Sequence, residues 1–418
     1  MTKDTFFKAK ANFNLLLISC NRKWQEKYQI DLMRKDKRLY IIFSITLVAV
    51  MGVASLTPAL PKIAETLHIT KVQVGLLISA FTFPGIFLAP IAGILADRWG
   101  RKKVLIPSLF IFAIAGSTAF FIHSFHVLVL LRIFQGVGAS ALGSLNVTLI
   151  GDFFKGKDRP KVMGYNASVL SLATGFFPLI GGMLAGIAWY YPFLLPIFAI
   201  PVGLIVIFFL EEPEFEKTPN LKVYLKAISK SIQRKEVIAT FALSVLTFLI
   251  LYGAILTYIP FLLSQNFKLS APKIGIALSL SSLSTAAVAS QVGKLTNRFG
   301  SITLLKSAFI LYTITMLMVP YIHSFYFFII PLLLFGSAQA LNIPSLQTLL
   351  ANLAPDEQRG LFMSINGMVL RLGQTLGPLV IGLGFAIGGF EGAYFLAASI
   401  AVACLIVIYT SFHTNISN

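Results

Sequence analysis

The chain has 418 residues, 56% of them hydrophobic and 12% charged, with a mean hydropathy of +0.82. Soluble domains carry about 25% charged residues, so this composition excludes a water-soluble globule, which would have no means of covering its surface. The formal charge of +18 would suit a nucleic-acid binder, and only the placement of the charges decides against one.

Taken in chain order, the first 38 residues form a basic tail with ten Lys and Arg. It holds a short apolar patch, Asn14–Cys20, too brief for a signal segment or a span. Met33 before a basic run is a possible second start, so residues 1–32 are expected to be dispensable. From residue 39, twelve runs are long and apolar enough to cross a membrane as helices. They are 39–61, 72–95, 104–122, 127–150, 162–188 and 192–210, then 237–262, 273–296, 303–322, 325–351, 361–386 and 392–411. Barrel strands would alternate apolar and polar over ~10 residues, whereas these runs are continuous. The expected organisation is a tail (1–38), a six-helix bundle (39–210), a linker (211–236), a second six-helix bundle (237–411) and a short end (412–418).

With the N-terminus inside, 28 of the 34 Lys and Arg lie on one side of this arrangement. Lys62, Lys71, Lys268 and Lys273 lie on the other, and Arg132 and Arg371 fall inside spans. Basic loops stay cytoplasmic, so both termini are expected there. The neighbour of this charge is then anionic lipid, and nucleic acid is not a partner. Two cysteines, Cys20 and Cys404, and five scattered histidines give no disulfide framework and no metal site.

The motifs also come in order. Between the second and third spans stands Gly93-Ile-Leu-Ala-Asp97-Arg98-Trp-Gly100-Arg101-Lys102-Lys103. Its two glycines would let the chain reverse tightly, with the basic run held at the membrane surface. The fourth span carries Leu131-Arg132-Ile-Phe-Gln135-Gly136-Val-Gly138, and Arg132, Gly136, Ala139, Gly143 and Asn146 share one face. A charge within a span is a functional candidate; the competing reading is an arginine near the outer end that snorkels to water. The fifth span has Gly175-Phe-Phe-Pro178-Leu-Ile-Gly181-Gly182, and the eleventh Gly373-Gln374-Thr-Leu-Gly377-Pro378. Small residues let helices approach closely, and packing alone would account for both. Arg371 stands about 15 Å into the eleventh span, with Gln374 on the same side. It reads as a substrate contact, a gate partner, a counter-ion to a proton site, or an arginine satisfied by freed carbonyls and Gln374.

The two halves align at an offset of 200 residues. Gly75 matches Gly275, the string 93–100 (GILADRWG) matches 293–300 (GKLTNRFG), and IHSF occurs at 122–125 and at 322–325. Asn166/Asn366, Pro178/Pro378 and Gly182/Gly382 are further pairs. Six spans per copy leave both copies the same way up, a transporter architecture with the substrate between the halves.

On these residues the chain resembles the major facilitator superfamily over 39–411. The string at 93–103 is similar to its loop signature, and the one at 131–138 to that of proton-linked members. The 173–182 segment is similar, in part, to the antiporter signature of the drug/proton (multidrug efflux) group, with Ala173 and Phe177 replacing two glycines. The resemblance implies an all-α membrane protein, twelve transmembrane helices in two parallel six-helix repeats, without a cofactor. It further implies gating by Gly93, Asp97, Arg98, Gly100, Arg101 and Lys102, with Asp97 near the positive start of the eleventh helix. Asn297 replaces Asp97 in the second copy, so that latch is expected to be one-sided. The expected coupling or substrate path is Arg132, Gln135, Gly136, Asn146, Asn166, Asn366, Arg371 and Gln374. The expected packing residues are Pro178, Gly181, Gly182, Gly373, Gly377 and Pro378.

None of the 16 acids lies mid-span. A desolvated cation needs a counter-charge, so the inventory favours neutral, amphipathic or anionic solutes. It leaves Asp97 and Asp152 to carry protons, or coupling absent. The expected function is alternating-access secondary transport: proton-coupled export of small amphipathic drugs or metabolites by a monomer in a prokaryotic cytoplasmic membrane. An importer or exchanger of anionic or polar metabolites is the alternative. A membrane-embedded enzyme or a sensor is the reading from another class; the spans hold no Ser–His pair, HExxH or paired carboxylates, and no glycine-rich loop for ATP.

Overall fold

The computed structural model describes residues 36–156, 158–212, 234–354 and 359–412. The expectations for the N-terminal tail, Met33, most of the linker and residues 413–418 lie outside the described residues. Everything ordered among them is helical, as lipid requires: each backbone N–H must find its acceptor within its own segment. In chain order the spans are α1 (Lys37–Thr66), α2 (Lys71–Trp99), α3 (Arg101–Phe121), α4 (Phe125–Phe153), α5 (Asp158–Ile187) and α6 (Tyr191–Phe209). There follow α7 (Lys235–Asn266), α8 (Ala271–Phe299), α9 (Ser301–Tyr321) and α10 (Phe325–Leu353). The last helix, Arg359–Ser411, breaks at Gly388 (φ −133°) and Gly389 (φ +61°), giving α11 (359–387) and α12 (390–411). Twelve crossings result among the described residues.

Local chemistry sets the ends. Thr70 and Gln73 cap α2 reciprocally, each side chain bonding the other's backbone N–H. The α2–α3 reversal takes a single residue, Gly100, at φ +104°, a conformation that a side chain would strain. The repeat is visible in the same details. Gly300 (φ +78°) turns α8 into α9 as Gly100 turns α2 into α3, and His68 and Lys268 both sit at left-handed φ (+53° and +54°). Helices α4 and α10 begin and end at positions 200 residues apart.

Each half encloses its own apolar core. One is built from residues such as Leu77, Phe112, Leu142 and Leu149, and the other from Leu262, Phe309, Phe335 and Tyr394. One end of the bundle carries the basic turns around 100, 155 and 300 and is termed the basic end; the opposite face is the far end. Four hydrogen bonds join the halves among the described residues, and all lie on the far side of mid-helix. Toward the basic end, most of the length of α5 up to Leu170 and of α8 beyond Ala286 is exposed. The halves are therefore sealed at the far end and parted at the basic end.

Candidate substrate path and gates

Two seams close the far end, and the repeat relates them. In the α2–α11 seam, the Ser79 hydroxyl donates to Thr375 O (2.7 Å) and Thr82 pairs with the Thr375 hydroxyl (2.9 Å). In the α5–α8 seam, Ser279 donates to Gly175 O (2.6 Å) and Ser282 to Thr174 O (3.2 Å). Ser79/Ser279 and Thr82/Ser282 are repeat partners, a signal present in the sequence at the 200-residue offset and missed there. Glycine permits the approach: a methyl at Gly275 would lie 2.3 Å from Pro178 O, and one at Gly75 3.1 Å from the Pro378 side chain. Gly182 faces Ala271 O at 2.6 Å in the same sense, Gly181 faces Ser55 O at 1.8 Å, Gly373 Val245 O at 2.3 Å and Gly377 Leu249 O at 2.8 Å. The six expected packing residues thus lie at close helix contacts, Pro378 through its side chain and the others through backbone.

At the basic end, Arg101 is the hub of the α2–α3 corner. Its guanidinium binds Asp97 of α2 and, at 2.9 Å, Asp152 at the end of α4. Glu212, just beyond α6, accepts from the backbone N–H groups of Arg101 and Lys102, the latter at 3.2 Å. A carboxylate there meets the positive start of α3, and Gly100 leaves room for it, since a Cβ would lie 2.7 Å from Glu212 Oε1. Lys102 Nζ donates to Ile207 O (2.9 Å). These bonds tie α2, α3, α4 and α6 of the first bundle to one another, while the side chains at the start of the eleventh helix, which Asp97 is expected to approach, lie outside the described residues. The glycine reading needs correction. Gly100 alone makes the turn; Gly93 lies inside α2 with nothing within 4 Å of a would-be Cβ, and Arg98 is exposed. Glu212 read as linker, because nothing local marks a residue that caps a helix 110 positions earlier.

Arg132 is 2% exposed and sits inside the first bundle. Its Nη2 donates to Gly52 O (2.8 Å), Nε to Leu77 O (3.1 Å) and Nη1 to Gln135 Oε1 (2.7 Å), with the Phe81 ring 4.4 Å away. The Gly52 carbonyl is available because α1 tightens there into the 3-10 turn Thr57–Ala59, and the Leu56 N–H turns to Val53 O. The sequence expectation puts Arg132, Gln135 and Gly136 on the central path. The structure places them between α1, α2 and α4, and a methyl at Gly136 would meet Phe81 O at 2.1 Å. Snorkelling is likewise not what Arg132 does.

Asn146 and Asn166 meet, again inside the first bundle. The Thr46 hydroxyl accepts from Asn146 Nδ2 (2.6 Å) and donates to Asn166 Oδ1, and all three residues are buried. Asn366, the repeat partner of Asn166, is buried too, but among the described residues its Oδ1 has no hydrogen-bond partner. The positions equivalent to Thr46 and Asn146 are Leu246 and Leu346, so the second bundle lacks the polar company. None of these asparagines lines the gap between halves.

Arg371 reaches across that gap, and Gln374 is its buried neighbour on the same helix. Arg371 Nη1 donates to Gln374 Oε1 (3.0 Å). The arginine stem crosses to the other half, with its Cδ 3.1 Å from where a Cβ on Gly85 of α2 would be, and its Nη2 3.8 Å from the same point on Gly143 of α4. It stands where the sealed α2–α11 seam gives way to the parted region.

A bundle of two parallel six-helix halves, sealed on one face around a deep cation, is the architecture of a secondary transporter. The model of the Major Facilitator Superfamily matches residues 42–271 and 240–415. The chain belongs to that family. It is 29% identical over 359 residues to the bacillibactin exporter of Bacillus subtilis (strain 168), covering 82% of this chain and 89% of that one. It is 26% identical over 381 residues to multidrug resistance protein 1 of the same strain, covering 90% and 96%. Among solved structures it is similar to the nucleoside transporter NupG, with a TM-score of 0.74 at 14% identity, over 90% of this chain and 99% of the other.

Proposed function

We propose that this transporter is a proton-coupled exporter of small amphipathic solutes. Residues 39–210 rock against 237–411, both termini are cytoplasmic, and the protein works as a monomer in a prokaryotic cytoplasmic membrane. The observation that carries this reading is the asymmetry of the seams: hydroxyl bonds close the far end while α5 and α8 stand apart at the basic end. That is the loading state of an exporter whose basic end faces the cytoplasm. The relatives named as a bacillibactin exporter and a multidrug resistance protein support the direction. Asp97, Arg98 and Arg101 form the gate on the basic side. No acid falls in the middle of a span, so Asp97 and Asp152, which hold Arg101 at the basic end, are the acids left to couple the gate to protons.

Everted vesicles with an acid interior, read by a pH-sensitive dye, test this. Added solutes of different charge are expected to discharge the gradient through the wild type and not through Asp97→Asn. Equilibration of a labelled solute across the same vesicles with no change in the gradient would remove proton coupling from the reading.

A further inference from the structure

We propose that Arg371 is the anchor for an anionic headgroup, which makes the central path selective for amphipathic anions over cations. The proposal rests on the gap between halves being the substrate path, and it names the substrate class of that path.

The two arginines inside spans provide the contrast. Arg132 spends its donors on two carbonyls and an amide and has no access to the gap. Arg371 has five N–H donors and, among the described residues, one hydrogen-bond acceptor, Gln374 of its own helix. No Asp or Glu of the chain falls in the middle of a span, so nothing at this depth supplies its counter-charge. A fixed cation in that position is costly unless an anion or water faces it.

The seat of Arg371 is specific to it. By the 200-residue repeat, Arg371 corresponds to Ser171, Gly85 to Thr285 and Gly143 to Ile343. These three departures from the repeat, on α11, α2 and α4, meet at one point in space. In the seams, by contrast, Ser79 and Ser279 keep the symmetry, each donating to the carbonyl of a repeat-paired residue, Thr375 and Gly175. The cation and the two glycines that admit it therefore form one feature, placed on the path side of the first bundle. Further along the axis, a far-end cavity of about 620 Å³ carries Lys71 and Lys268 with Phe261 and Phe385. Its one acid, Glu65, is paired with Lys62 at 2.9 Å. This cavity too sets basic groups beside apolar walls, which suits an anion on an apolar body.

The test is binding of three naphthalene probes with a common ring: the 1-sulfonate, the 1-methanol and the 1-methylammonium. Binding is measured by calorimetry on the full chain in nanodiscs without any gradient. The sulfonate is expected to bind at least about tenfold more tightly than the ammonium. Arg371→Gln should abolish that preference, and a cooperative melting transition close to that of the wild type reports that the variant is folded. Arg371→Lys should restore only part of it, because an ammonium cannot make the forked pair with a sulfonate. A wild type that favours the ammonium, or binds no sulfonate at millimolar concentration, overturns the proposal, as does an unchanged preference in Arg371→Gln. Failure of proton-coupled export in vesicles would leave this result standing, since no gradient enters it.

Discussion

The Arg132 guanidinium is enclosed by the Gly52 and Leu77 carbonyls, the Gln135 amide and the Phe81 ring. Hydrogen bonds to a charged group contribute about 1.5–3 kcal/mol each, and an acceptor left buried and unpaired costs about 1–3 kcal/mol. Arg132→Ala should therefore cost on the order of 3 kcal/mol, seen as an early melting transition in detergent. Arg371→Gln should move the same transition by less than about 1 kcal/mol, since it breaks a single bond to its own helix. Glu212 makes a smaller case. Its carboxylate holds two N–H groups at the start of α3, and Glu212→Ala should cost about 1 kcal/mol, measurable in the same melt. The sequence showed both arginines as intramembrane charges. It could not rank them, because whether an arginine is satisfied depends on carbonyls 80 and 55 residues away.

Between elements, the glycines of the α5–α8 and α2–α11 seams decide how close the helices come. A side chain at Gly275 would run into Pro178 O at 2.3 Å, and a backbone carbonyl cannot swing aside. Overpacking of this kind costs about 1–3 kcal/mol, enough to shift a two-state balance roughly fivefold or more. Gly275→Val is thus expected to prise the far end open. An impermeant maleimide applied from that face should label Ser279→Cys faster in the Gly275→Val background, while export falls. Here much was legible in advance: Gly75/Gly275, Pro178/Pro378 and Gly182/Gly382 stand out as repeat pairs, and all of them lie at contacts. The partner of each was not legible, because the offset relates α2 to α8 and α5 to α11. The contacts run across those pairs, α2 to α11 and α5 to α8.

For the whole molecule, transport requires the sealed far end to open while the basic end closes. An ideal Cβ at Gly175 lies 3.3 Å from Ser282 Cβ, near the 3.5–4.5 Å spacing of disulfides. Gly175→Cys combined with Ser282→Cys, in a Cys20→Ser background with Cys404 buried, should cross-link on oxidation. Transport should stop and return with reductant, while each single variant stays active under oxidation. Activity in the cross-linked form would show that the α5–α8 seam does not part during the cycle.

The amino-acid sequence alone determined that the chain lies in lipid, crosses it as helices and is a duplicated six-helix unit. These follow from run length, apolarity and an offset repeat, which are properties of neighbours along the chain or of simple addition. The tertiary structure decided which polar residues face the gap. Arg132, Asn146 and Asn166 turned inward to partners within the first bundle, and the Asp97–Arg101 corner bound α4 and Glu212. The seam hydroxyls Ser79 and Thr82 bonded across nearly 300 residues. A polar side chain in a span is costly until it meets a partner, and which partner it meets is set by how distant helices cross.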